Sequence, residues 1–162
     1  MKKGFTLVEL IASLAIFSLA ILAISMAFSA SLITRQKNDI KQSTVHYSQA
    51  IIENFRTVGY DNLGTVYKGD TTTGVSTFVY FNNDMSNFNA WFRNYINGTT
   101  QITGNVDSST YPLSTGNQFG TLIKIAKISV DGGGTPFHIY VRVWRLDKGA
   151  QSQSVRDIYE SR

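Results

Sequence analysis

An uncharged run near the N-terminus is long enough to cross a membrane. The 24 residues from Leu10 to Ile33 carry no charge, and a helix of that length measures about 36 Å, against a hydrocarbon core of about 30 Å. Lys2 and Lys3 precede the run, so the positive-inside rule places the N-terminus in the cytoplasm and the rest outside. Any fold of this chain must therefore accommodate a long apolar helix.

Glu9 lies at the edge of this run, and the presence of a carboxylate there requires a physical explanation. It is the only ionisable residue between Lys3 and Arg35, and a carboxylate placed in hydrocarbon costs about 2.5–3.5 kcal/mol on insertion scales. A secretory signal with a small-residue cleavage site near Ala27 to Ala30 is one alternative, and a plain single-pass anchor is another. Neither alternative accounts for Glu9.

Composition excludes several kinds of chemistry. The 162 residues include no cysteine, so disulfides, thiol catalysis and thiolate metal sites are excluded. The two histidines, His46 and His138, lie far apart and lack metal-ligand spacing. The net charge is +4, and two of those charges belong to the lysines before the apolar run. We therefore expect no catalytic site, metal or cofactor, and the basic balance is weak evidence for a nucleic-acid partner.

The stretch KKGFTLVEL, residues 2–10, resembles the processing site of type IV prepilins and of the type II secretion and competence pseudopilins. In that family a prepilin peptidase cuts after the glycine and methylates the new terminal residue. The resemblance implies cleavage between Gly4 and Phe5 and N-methylation of Phe5. It also implies that Glu9 pairs with the terminal amine of a neighbouring subunit. In a low-dielectric bundle each of these charges is costly alone, and together they satisfy one another.

The two sides of the apolar helix differ in side-chain size. At 100° per residue, five alanines fall within an arc of about 80° that also contains Glu9, whereas bulky residues gather opposite. Small residues let helices approach closely in lipid. We predict that this assembly face packs against other pilin subunits, although Ile16 and Leu19 interrupt it. The assembly face comprises Glu9, Ala12, Ala20, Ala23, Ala27 and Ala30, and the opposite ridge comprises Leu10, Leu14, Phe17, Ile21, Ile24 and Phe28.

The helical pattern continues beyond the apolar run. Apolar residues recur at three, four or seven positions as far as Val58, and Gly59 is a natural stop. Many major pilins carry a glycine and a proline in this helix, and their absence between Phe5 and Val58 favours a minor pilin or pseudopilin. We expect a leader at 1–4, a long helix at 5–58 with its transmembrane half at about 5–33, and a globular head at 59–162.

The remaining residues predict a small head with an antiparallel sheet. Segments 59–74 and 98–120 are rich in Gly, Asn, Thr and Ser or Asp, and we predict loops there. A long helix followed by a meander of strands resembles the pilin fold, so the predicted class is α+β, with the N-terminal helix packed against a C-terminal antiparallel sheet. The predicted strands are 76–81, 121–130, 137–146 and 152–160, and a short helix is predicted at 84–96.

The strand at 137–146 carries a candidate ligand face, formed by His138, Tyr140, Arg142 and Trp144, which alternate with apolar residues. Aromatic rings can stack on bases while cations meet phosphates. DNA binding by a competence-type pseudopilin is therefore one alternative function, and coverage of this face by a loop or a neighbour is the structural alternative.

The function predicted from the sequence is that of a structural subunit, not an enzyme. The subunit would belong to a type IV pilus or related pseudopilus, with a type II secretion pseudopilin as a further alternative. Its expected partners are other pilin subunits, the prepilin peptidase and the cytoplasmic membrane before assembly, with nucleic acid as the alternative ligand. Its expected location is the cytoplasmic membrane and then the pilus or cell surface.

Overall fold

The computed structural model describes residues 6–69, 74–130 and 134–162. The fold is α+β, as predicted, with a long N-terminal helix packed against an antiparallel sheet. The chain divides into two compact units, Met1–Asp39 and Ile40–Arg162. The elements are α1 (Leu7–Val66), β1 (Val75–Phe81), α2 (Ser86–Ile96), β2 (Phe119–Lys127), β3 (Phe137–Arg145), a 3₁₀ turn (Gly149–Ser152) and β4 (Ser154–Glu160).

The first unit contains the apolar part of α1, and its described side chains are exposed. By length and composition α1 can cross a membrane. Two serine hydroxyls in this segment bond to the helix itself: Ser18 Oγ donates to the Leu14 carbonyl at 2.8 Å, and Ser29 Oγ donates to the Ser25 carbonyl at 2.9 Å. These two hydroxyls thus need no outside partner.

Within α1 the backbone leaves the helical region at Gly59, which has φ 73° and ψ 167°, a combination essentially restricted to glycine. The predicted stop at Gly59 is therefore confirmed as a break. The loop predicted at 59–74 is wrong for residues 60–66, which are helical again. Leu63 and Val66 are buried in the core, so tertiary packing overrides the local preference of Asp61 and Gly64 for a turn.

The second unit contains a four-stranded antiparallel sheet in the order β1-β2-β3-β4. Its inner face and the adjoining part of α1 form one hydrophobic core, to which α2 contributes Phe88 and Tyr95. Burial of each large apolar side chain contributes roughly 1.5–3 kcal/mol. The apolar face predicted on the strand at 137–146 is confirmed, since all four of its residues are fully buried: Phe137, Ile139, Val141 and Val143.

Replacing Gly59 by alanine should lower the free energy of unfolding by about 1–3 kcal/mol, because alanine is strained in this backbone region. No heavy atom lies within 4 Å of a Cβ built there, so the cost would come from the backbone and not from a clash. Gly64 is the matched control: it has helical geometry and equally open space, and alanine there should stabilise by about 1 kcal/mol. Denaturant unfolding of the two variants measures the difference. Equal effects would contradict the strain at Gly59.

Candidate functional site

The helix start holds the residues that the leader motif singles out. Gly4 and Phe5, the predicted cleavage junction, lie outside the described residues. Thr6 and Glu9 form a capping box: Glu9 Oε2 accepts hydrogen bonds from the Thr6 amide and the Thr6 hydroxyl, both at 3.0 Å, and the Glu9 amide donates to Thr6 Oγ1 at 3.3 Å. This capping box was not predicted from the sequence, although a threonine followed three residues later by a glutamate is its signature.

The capping box uses only part of the hydrogen-bonding capacity of Glu9. Both accepted bonds between described residues end on Oε2, and a carboxylate has two oxygens with about four lone-pair positions. Glu9 is also exposed. The capping box therefore fixes the direction of the side chain and leaves Oε1 without a partner among the described residues.

The assembly face is exposed along its length. The five alanines predicted to form it all lie in the first unit, within α1, on the same side as Glu9. The bulky ridge on the opposite side is exposed as well, as Ile21 and Phe28 illustrate. In this unit the described helix has small side chains on one side and bulky side chains on the other, and the described residues of both sides are exposed.

The structure divides the four predicted ligand residues into two pairs. Trp144 has no exposed surface and Arg142 is 5% exposed. The loop between α2 and β2 lies over them, and its Val106 and Tyr111 pack on the outer hydrophobic cluster around Trp144. His138 and Tyr140 remain partly exposed. The candidate ligand face is therefore wrong for Arg142 and Trp144, which do not belong to an accessible surface.

Arg142 anchors the covering loop. Its guanidinium donates hydrogen bonds to the carbonyls of Ser108 and Thr110, the second at 2.6 Å. It also lies 4.3 Å from the ring centre of Tyr111 and 5.3 Å from that of Trp144. A planar guanidinium can bind two carbonyls and stack on aromatic rings at the same time, which lysine cannot do. The Arg142 guanidinium, which was expected to contact phosphate, instead holds the loop on the sheet.

Two further features complete this outer layer. Gly120 pairs with Trp144 across β2 and β3, and a Cβ at Gly120 would lie 2.6 Å from Trp144 Cζ2, so glycine makes room for the indole. In the loop, hydrogen bonds from the Ser109 amide and hydroxyl hold the pKa of Asp107 below its ordinary value, and the charge of Arg142 lowers it further. The loop predicted at 98–120 is wrong for Phe119 and Gly120, which belong to β2, so the close approach of Gly120 to Trp144 was not predicted.

The exposed pair does not resemble a phosphate site. His138 stacks on Tyr159, with ring centres 4.7 Å apart, and its Nε2 lies 3.3 Å from Asp157 Oδ2. The carboxylate of Asp157 would repel a phosphate at this position. Within the described residues no three His, Cys, Asp or Glu side chains form a group that could hold a metal ion.

Comparison with known families identifies the N-terminal motif. The family model for the prokaryotic N-terminal methylation motif matches residues 1–29 of the 162-residue chain. This range includes the predicted leader, the cleavage junction, Glu9 and most of the apolar run. No curated protein and no solved structure matches the chain. The chain thus carries a prokaryotic N-terminal methylation motif, and the long N-terminal helix and antiparallel sheet that follow it have a pilin-like α+β arrangement.

Proposed function

We propose that this protein is a structural subunit of a type IV pilus or related pseudopilus, and a minor subunit in it. The observation that carries the proposal is the methylation motif at residues 1–29, followed directly by the apolar part of α1. Within the described part of α1 the backbone leaves helical geometry only at Gly59. Many major pilins carry a glycine and a proline in the part of the helix that corresponds to Phe5 to Val58, and their absence there supports the minor role.

Processing would start from a chain inserted in the cytoplasmic membrane with Lys2 and Lys3 on the cytoplasmic side. Prepilin peptidase would hydrolyse the bond between Gly4 and Phe5, releasing the lysine-bearing leader and freeing the amine of Phe5, which is then methylated. The apolar helix would remain in the membrane because the cut lies before it. The subunit could then leave the bilayer for the filament.

Glu9 would have two simultaneous roles in the processed subunit. Thr6 lies beyond the cleavage junction, so the capping box is retained after the leader is removed. With Oε2 held by Thr6, Oε1 is the oxygen free to meet the methylated amine of Phe5 on a neighbouring subunit. The capping box would position the carboxylate before assembly, which reduces the conformational entropy lost when the pair forms.

DNA binding is the weaker function on the geometry of the head. Arg142 and Trp144 are covered by the loop, and Asp157 lies beside His138. These contacts support a head that serves structure rather than nucleic-acid recognition at this face. The choice between a pilus and a secretion or competence pseudopilus does not change the assembly chemistry proposed for the helix.

Protein purified from membranes with an active prepilin peptidase should lack residues 1–4 and carry one additional methyl group on Phe5. Intact-mass spectrometry and sequencing of the N-terminal peptide measure both changes. Gly4→Leu is the control, since a bulky side chain before the scissile bond should leave the chain full-length. Recovery of unprocessed native chain beside an active peptidase would exclude this leader assignment.

Glu9→Gln should insert into the membrane normally and be incorporated into filaments at least tenfold less than the native chain, the effect of losing about 1.4 kcal/mol or more of pairing. Glutamine can still accept the hydrogen bonds of the capping box, so this change removes the charge alone. Thr6→Val is the complementary control, because it removes the hydroxyl of the cap and keeps the charge. Quantification of subunits in sheared filaments decides between the charge and the cap. Normal incorporation of Glu9→Gln would refute the pairing role.

Ala23→Phe should impair filament assembly, whereas Ile21→Phe should be tolerated. Both changes introduce the same bulky ring into the apolar run, and only the first places it on the assembly face, where helices would need to approach closely. Membrane fractionation should show equal insertion of the two variants. If both enter filaments to the same extent, the alanine side is not the packing surface.

A further inference from the structure

The two edges of the sheet differ in how their backbone groups are satisfied. At the β1 edge the chain covers the start of the strand at Ser76: the Ser76 amide donates to the Gly104 carbonyl at 2.7 Å, and the Val106 amide donates to Ser76 Oγ at 2.8 Å. At the β4 edge, no hydrogen bond between described residues reaches the outward backbone groups. An uncovered edge strand is a template for pairing with another chain.

The pattern of hydrogen bonds identifies which residues of β4 face outward. The Leu146 amide, directly after β3, donates to the Gln118 carbonyl on the β2 side. Since bonding direction alternates along a strand, even-numbered residues of β3 bond to β2 and odd-numbered ones bond to β4. Val141 pairs with Arg156, so Arg156 bonds to β3. The outward N–H and C=O groups therefore belong to Val155, Asp157 and Tyr159.

A groove of about 410 Å³ runs beside this edge. One wall belongs to α1 and includes Glu53 and Arg56, and the other is formed by β4 from Val155 to Ile158. Arg56 lies 2.7 Å from Glu53 and 3.9 Å from Glu160, so it engages the carboxylates of both walls. The groove can admit the side chains of a strand placed alongside β4.

Arg156, which lines this groove, lacks both a hydrogen-bond acceptor for its Nε and an ion-pair partner among the described residues. Its Nε is buried and has no hydrogen-bond acceptor among the described residues. A buried donor that lacks an acceptor is costly, and no carboxylate among the described residues forms an ion pair with Arg156. The other charged residues that line the groove, Glu53, Arg56 and Asp157, each have an ionisable partner. A carboxylate from a partner chain would supply the one that Arg156 lacks.

We propose that β4 binds an extended acidic segment of a partner polypeptide by strand addition. The backbone of the segment would pair with the outward groups of Val155, Asp157 and Tyr159. The residue directly opposite Arg156 has its side chain on the same face of the sheet, which is the groove face. An aspartate or glutamate at that position accepts the hydrogen bond from Arg156 Nε. This site lies wholly in the second unit, so it does not depend on assembly through the apolar helix.

The probe is a synthetic heptapeptide with blocked ends, Thr-Val-Thr-Glu-Thr-Val-Thr, added to the full-length protein in detergent micelles. NMR amide exchange should slow at Val155, Asp157 and Tyr159 and change little at Ser154, Arg156 and Ile158, which already bond to β3. A peptide with glutamine in place of glutamate should bind about tenfold more weakly, because it loses the charge-assisted hydrogen bond. Unchanged exchange at the three outward amides at all peptide concentrations would overturn the proposal.

Asp157→Pro provides the matched variant, because it removes one outward N–H and leaves the β3 ladder intact. It should weaken peptide binding at least tenfold, whereas Asp157→Ala, which loses the contact with His138 and keeps the N–H, should bind like the native chain. Equal weakening by both would overturn strand addition. Protection that rises with protein concentration without peptide would instead assign the edge to a second copy. If the proline variant does not fold, the exchange pattern of the native chain decides.

Discussion

A carboxylate at the start of an uncharged helix is the constraint around which the N-terminal half is organised. In a low-dielectric setting Glu9 needs hydrogen-bond donors, and Thr6 supplies two of them from the first turn of α1. A negative charge at this end also suits the helix dipole. The resulting geometry leaves one oxygen for a cation. In the proposed filament that cation is the amine produced by processing, so the same cut that releases the leader would create the partner that Glu9 lacks.

In the head, the sheet is stabilised without disulfides. Its inner face is closed by α1 and α2, and its outer face by an irregular loop that supplies Val106 and Tyr111. The loop has little apolar surface of its own, so Arg142 binds its carbonyls and stacks on Tyr111. Arg142 and the aromatic rings thereby hold the loop on the sheet without any covalent cross-link. A strand that alternates apolar with polar-aromatic residues is buried on both faces at Arg142 and Trp144.

Sequence reasoning predicted the elements whose signals are periodic or motif-based. The four strands, the short helix and the N-terminal helix follow from alternation and from 3.6-residue spacing, and they occur where expected within a few residues. The loop at 98–120 and the coverage of the outer face by a loop were both stated from the sequence. The residues that make the contact could not be predicted, because Val106 and Tyr111 form no periodic pattern and act only through long-range contacts. Helix at 60–66 was missed because burial of Leu63 outweighs local turn preference. The cleavage junction at Gly4 stays a prediction.

In the proposed assembly the helix exchanges lipid for other helices, and its composition makes the free-energy difference between these two surroundings small. In lipid, an apolar helix gains no hydrophobic free energy by contacting another helix, so close packing and polar pairing decide association. Alanines on the assembly face suit both surroundings: they are apolar enough for the bilayer, and they are small enough for contact between helices. The bulky ridge is equally compatible with lipid and would face outward from a close pair. The proposed charge pair at Glu9 would then supply direction and register, because it would form only when one subunit's terminus lies beside another's first turn. In the proposed assembly, such a subunit would move between bilayer and filament without a large free-energy difference.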